Sequence, residues 1–176
     1  LAPQKPTDPF AEARARLLDA AKRFAGDAID SELVHLAWAA EPIILFERVV
    51  EPLLVEVGEQ WERGEVSIAA EHFLSERIES LLRSTLRMQS RGKTGLALLA
   101  CVEGEQHVNG LLGLGLKLSA LGLGVEVLGA STPPSAIEDV LQALRPRFVG
   151  LSCSITPPAP AKMRSEERRV GKECED

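Results

Sequence analysis

At Arg91-Gly92 the spacing of apolar side chains changes period, and no single kind of secondary structure can serve both sides of that point. From Phe10 to about Met88 they recur every three to four positions, as in Leu17, Leu18, Ala21 and Phe24 and again in Leu33, Leu36 and Ala40. That repeat lines one face of a helix. Breaks at Gly26-Asp27, Glu41-Pro42 and Arg63-Gly64-Glu65 divide the segment into four helices near residues 9–25, 29–40, 43–62 and 67–89. Four short-looped amphipathic helices predict a bundle. Pro42 suits the first turn of a helix, whereas Pro52 lies inside the third and predicts a kink.

Beyond Gly92 the chain alternates. GLALLACV at 95–102, GVEVLGA at 124–130 and RFVGLSCSI at 147–155 are aliphatic runs too short for buried helices and read as strands. Helical patterns from Val108 to Leu121 and from Pro133 to Leu144 separate them. The order β-α-β-α-β predicts a parallel sheet with right-handed crossovers. Such sheets bind ligands beyond the carboxyl ends of their strands. The loop after the first strand is therefore the place to look for chemistry.

The two ends differ from the middle. LAPQKPTDP at 1–9 holds three prolines and no initiator methionine, and reads as a linker from something longer. At 161–176 the chain turns charged, with Val170 the one aliphatic residue in RSEERRVGKECED. This tail resembles translated sequencing-adaptor read-through, and no element is expected in it. The net charge of −6 argues against a nucleic-acid surface on the chain itself, because duplex binding needs a basic face to displace counterions. Any DNA contact must lie outside this segment. No apolar run reaches about 18 residues, and the start lacks the order of a signal peptide, so the chain reads as cytosolic with no membrane partner. Cys101, Cys153 and Cys174 have no CxxC spacing, which suits a reducing compartment and gives no zinc framework.

The loop after the first predicted strand reads EGEQHVNG. A lone histidine in such a loop is commonly a surface or capping residue. Here Glu105 stands two positions before His107, close enough to hold one ring nitrogen and leave the other to a metal. Gly110 would remove bulk where a large planar cofactor approaches the backbone, and Gly113 and Gly115 read equally well as close helix-to-sheet packing. Two phosphate-loop patterns fail. Gly92-Lys93-Thr94 ends like a Walker A loop, but position 87 is arginine and the segment precedes a strand. The glycines of GLLGLGLKLS do not fall as GxGxxG. No Ser/His/acid or Cys/His arrangement suggests a hydrolase.

EQHVNG resembles the (D/E)xHxxG signature of cobalamin-binding domains, in which the histidine replaces the cofactor's own base beneath cobalt. About forty residues on, GLSCSIT resembles the segment that holds their SxL element near the buried nucleotide tail. Ser152 matches, and Ser154 stands where leucine is usual. The later Gly-Gly element and last two strands of that fold have no counterpart, so the α/β domain is expected to be incomplete.

Upstream, Trp61 precedes the pair Glu71-His72 by ten positions, across a Gly-Glu turn and a Ser67 N-cap. Read alone, this is a core tryptophan followed by a solvated Glu-His face. Placed before a cobalamin-type histidine loop, it resembles the Wx9EH signature of CarH-type light-sensing regulators. The resemblance covers roughly residues 10–158. It implies a helical cap at 10–90 and a Rossmann- or flavodoxin-like cobalamin-binding domain at 94–160. It further implies that His107 ligates cobalt, that Trp61 packs against the 5′-deoxyadenosyl group of adenosylcobalamin, and that Glu71 and His72 line the upper pocket.

The function implied is not catalysis but sensing of light or cofactor by a transcriptional regulator. Its DNA-binding domain, MerR-like, would precede the linker, and relatives assemble as homo-oligomers in the dark. Such relatives often place a second histidine directly after the tryptophan, where this chain has Glu62. The alternative from another class is a corrinoid carrier subunit of a methyltransferase system, holding methylcobalamin in the same two-part layout.

Overall fold

The structure, a computed structural model, describes residues 8–153; residues 1–7 of the linker expected at 1–9, the end of the α/β domain expected at 94–160, including Ser154, and the charged tail lie outside the described residues. Helix α1 (Pro9–Lys22) starts under the Asp8 carboxylate, which accepts the Phe10 N–H at 3.1 Å. It ends earlier than its period predicts, because Phe24 takes a left-handed φ of 53° and turns half out of the core. Helix α2 (Gly26–Ala39) follows directly. Helix α5 (Ile68–Gln89) is capped as expected by Ser67, which accepts the Ala70 N–H at 3.2 Å. Its buried residues Ala70, Leu74, Ile78, Leu82 and Leu86 fall four apart, forming one seam through the bundle. Each fully buried leucine or isoleucine contributes about 1.5–3 kcal/mol, so this seam is a main source of the bundle's stability.

The third predicted helix is continuous over 42–62 but changes its winding. It runs as α3 (Pro42–Leu45), a π-helical segment (Phe46–Val50) and α4 (Glu51–Glu62). Pro52 is the cause. With no N–H it cannot bond the carbonyl four residues back, that of Arg48. Arg14 on α1 donates its Nη1 to that carbonyl at 2.6 Å, while the Glu51 N–H reaches five residues back to Phe46. The expected kink is thus a local widening of the helix stabilised by a neighbour.

The sheet is parallel with strand order β2-β1-β3, formed by β1 (Leu96–Val102), β2 (Gly124–Thr132) and β3 (Phe148–Ser152). β1 is central, and its residues Ala97 to Cys101 are wholly buried. Helices α6 (Asn109–Ala120) and α7 (Pro134–Leu144) form the crossovers. Helix α6 is buried on two sides: Leu112 and Leu116 belong to a single apolar cluster that also takes in Leu86 of the bundle and Leu99 of β1. The glycines of α6 explain how the layers approach so closely. A Cβ at Gly113 would strike the ring of Phe46, and one at Gly115 would meet Leu86 at 2.7 Å and Leu99 and Val125 at 3.4 Å. Gly113 therefore serves helix-to-bundle rather than helix-to-sheet packing, while Gly115 serves both.

Candidate functional site

β1 ends at Val102, and the chain turns through Gly104, whose φ of 88° favours glycine. The loop is then clasped to the end of β2. The Gly104 N–H donates to Ser131 Oγ at 3.0 Å, and the Ser131 N–H donates to the Glu105 carbonyl at 2.8 Å. This clasp turns the Glu105 side chain inward, leaving it 3% exposed, while the His107 imidazole two residues on is 74% exposed. One Glu105 oxygen lies 2.7 Å from both the His107 backbone nitrogen and its Nδ1. The His107 carbonyl in turn accepts a long contact from the Cys101 thiol at 3.7 Å.

The ring is oriented by this set. A neutral imidazole that donates its Nδ1–H to a carboxylate presents Nε2 as its basic nitrogen, and here Nδ1 is the nitrogen that faces Glu105. Gly110, one turn further on, has open space where a side chain would be: a Cβ there meets no described residue within 4 Å. Ser152, at the carboxyl end of β3, is in register with Cys101 on β1 and stands on the same sheet edge. Burial, with help from the charge of Glu105, pushes the Cys101 thiol above its ordinary range and keeps it protonated. Among the described residues no group of three or more His, Cys, Asp or Glu side chains could hold a metal ion.

The second Glu-His pair lies on the bundle. Glu71 and His72 occupy the first turn of α5, with Glu71 Oε2 2.5 Å from His72 Nδ1 and Glu71 Oε1 accepting from Ser75 Oγ at 2.7 Å. Here the carboxylate is 27% and the imidazole 73% exposed. Trp61, near the end of α4, is 37% exposed and so is not the core residue its apolar character suggests. Among the described residues no hydrogen bond joins Trp61 to Glu71, His72 or His107.

One link does join the two pairs, and sequence reasoning missed it. Asn109, the first residue of α6, donates its Nδ2 to the Ser75 carbonyl at 3.4 Å. Ser75 thus touches Glu71 through its hydroxyl and the histidine loop through its carbonyl. The polar residue at the helix start, inside EQHVNG, was a visible signal; its main-chain partner 34 positions away was not.

A helical bundle packed on a parallel β-α-β sheet, with a carboxylate-braced histidine on the loop after the central strand, defines a Rossmann-like cofactor-binding module with a helical cap. Residues 13–84, which span most of the bundle, match the model of the B12 binding domain family. As a whole it resembles the CarH-type repressors. It is 37% identical over 145 residues to the HTH-type transcriptional repressor CarH of Myxococcus xanthus, covering 82% of this chain and 48% of that protein. It is 39% identical over 102 residues to the repressor CarA of the same organism, covering 57% and 34% respectively. The chain thus spans at most about half the length of these relatives. Two solved structures also align. One is a cobalamin-binding protein from Desulfitobacterium hafniense, with 24% identity, a TM-score of 0.35, and 81% of this chain and 69% of that one covered. The other is the methanol:cobalamin methyltransferase complex MtaBC of Methanosarcina barkeri, with 18% identity, a TM-score of 0.41, and 84% and 58% covered. Among the described residues no helix is long and apolar enough to cross a membrane.

Proposed function

We propose that the chain is the cobalamin-binding sensory module of a transcriptional regulator, holding adenosylcobalamin between a cap at 10–90 and an α/β domain at 94–160. The observation that carries this reading is the exposed His107 imidazole with its Nδ1 fixed on the buried Glu105 carboxylate. His107 Nε2 would hold the cobalt of the cofactor, and Glu105 would keep that nitrogen basic and aimed. The open space at Gly110 admits the corrin edge, and Ser152 stands by the nucleotide tail. Trp61 covers the upper face, where its partial exposure leaves a ring surface for the adenosyl group, and Glu71 and His72 complete that wall.

Adenosylcobalamin supplies a cobalt–carbon bond that visible light cleaves. The residues of this chain would do the rest: Trp61 would support the cap against the cofactor's adenosyl side, and the cap's position would be the element with two arrangements. The output passes to DNA through a segment outside this chain, in the cytoplasm, with assembly of copies as the readout. No step of this scheme makes or breaks a bond in a substrate, so the module is not an enzyme.

The test is to add adenosylcobalamin to the chain in darkness and record the absorbance spectrum and particle mass before and after green light. Retained cofactor with a light-dependent change in mass is expected. A folded chain that stays colourless overturns the proposal, and retention of methylcobalamin with methyl transfer to a partner would assign the chain to corrinoid carriers instead.

A further inference from the structure

Three residues of α6 spaced four apart meet the bundle along one stripe. Asn109 bonds the Ser75 carbonyl, Gly113 receives the ring of Phe46, and Lys117 pairs with Glu47 at 3.2 Å. The middle contact is apolar and close, and the last is a surface ion pair. The first is different, because it is incomplete. Ser75 offers a carbonyl, which can only accept, so the Asn109 nitrogen must face it and the oxygen must face away. That oxygen, Oδ1, is buried with no hydrogen-bond partner among the described residues. A buried acceptor without a donor is costly, so this junction favours any arrangement that brings a donor to it.

We propose that Asn109 is a specificity residue for the corrin: its Oδ1 accepts a hydrogen bond from a primary carboxamide on the ring's periphery while its Nδ2 holds the bundle. The inference rests on the functional reading above and deepens it. Asn109 lies two residues beyond His107 and one before Gly110, the residue with open space over it, and the proposal puts the edge of a ring ligated by His107 at this junction. A carboxamide N–H is the donor that a corrin edge carries, and a carboxylate at the same place carries none. On the far side, Ser75 connects Asn109 to Glu71 and His72. One amide side chain therefore ties the ring edge, the histidine loop and the upper wall together.

The experiment compares wild type, Asn109→Ala and Asn109→Asp for dark binding of adenosylcobalamin and of its monocarboxylic acids, each with one peripheral amide hydrolysed. Circular dichroism and Tm serve as checks on folding. Asn109→Ala is expected to raise Kd about tenfold while keeping the histidine-ligated absorbance spectrum. One of the monoacids is expected to bind wild type about tenfold more weakly, yet to show no further loss with Asn109→Ala. Asn109→Asp, which keeps an acceptor, is expected to discriminate against that same monoacid more strongly than wild type, since two carboxylates then meet. Equal Kd for wild type and Asn109→Ala, or losses that simply add for every monoacid, overturn the assignment while leaving the functional reading standing. A wild-type chain that takes up no cobalamin overturns both.

Discussion

The two Glu-His pairs of this molecule contain the same groups at nearly the same distance, yet the structure uses them differently. Glu71 and His72 are neighbours on the first turn of a helix, both in reach of water, with 2.5 Å between oxygen and Nδ1. Glu105 and His107 are two apart on a loop, 2.7 Å between the same atoms, but that carboxylate is buried and also receives a backbone N–H. An exposed pair is free to exchange its partner for water and contributes about 0–1 kcal/mol. A buried carboxylate with two donors holds one ring orientation. The difference lies in the burial of the acid rather than in the contact itself.

That contrast can be broken in order of expected effect. His107→Ala should weaken retention of cobalamin by about a hundredfold or more, measured by equilibrium dialysis, and unchanged retention would remove the axial-ligand role. Glu105→Gln leaves the shape of the side chain but not its charge, and should cost about 10–100-fold in affinity, the range for groups that orient a metal-bound histidine. Trp61→Ala should loosen the adenosyl form several-fold more than the methyl form; equal loss for both would move the tryptophan out of the upper pocket. Glu71→Gln comes last. Its exposed partner predicts a stability change under about 1 kcal/mol by urea denaturation, and a larger loss would mean the two pairs are more alike than their burial indicates.

The bundle and the sheet were both legible because their periods differ and because Gly26, Pro42, Gly64 and Gly92 mark the joints. His107 and Glu105 were legible too, since their association is local and needs only a loop at a strand end. Pro52 announced a disturbance but not its form, because whether the helix kinks or widens depends on Arg14, 38 positions away, reaching the freed Arg48 carbonyl. The exposure of Trp61 was opaque from its residue type, which argues for burial. Asn109 was missed for the same reason as Arg14: each satisfies a main-chain carbonyl of another helix, and carbonyls leave no mark in a sequence. Gly113 and Gly115 looked alike in sequence, and their partners Phe46 and Leu86 became known only through packing.

The bond from Arg14 to Arg48 has a reach beyond repair of one turn. The long helix that ends near Trp61 owes a rung of its ladder to a guanidinium on the first helix, so its straightness is not its own property. Prising α1 off the bundle would slacken the winding at Pro52 and change the bearing of everything downstream, the tryptophan included. The earliest helix in the chain thereby has a hold on the angle at which the aromatic side chain is presented, although it sits far from the histidine loop in sequence.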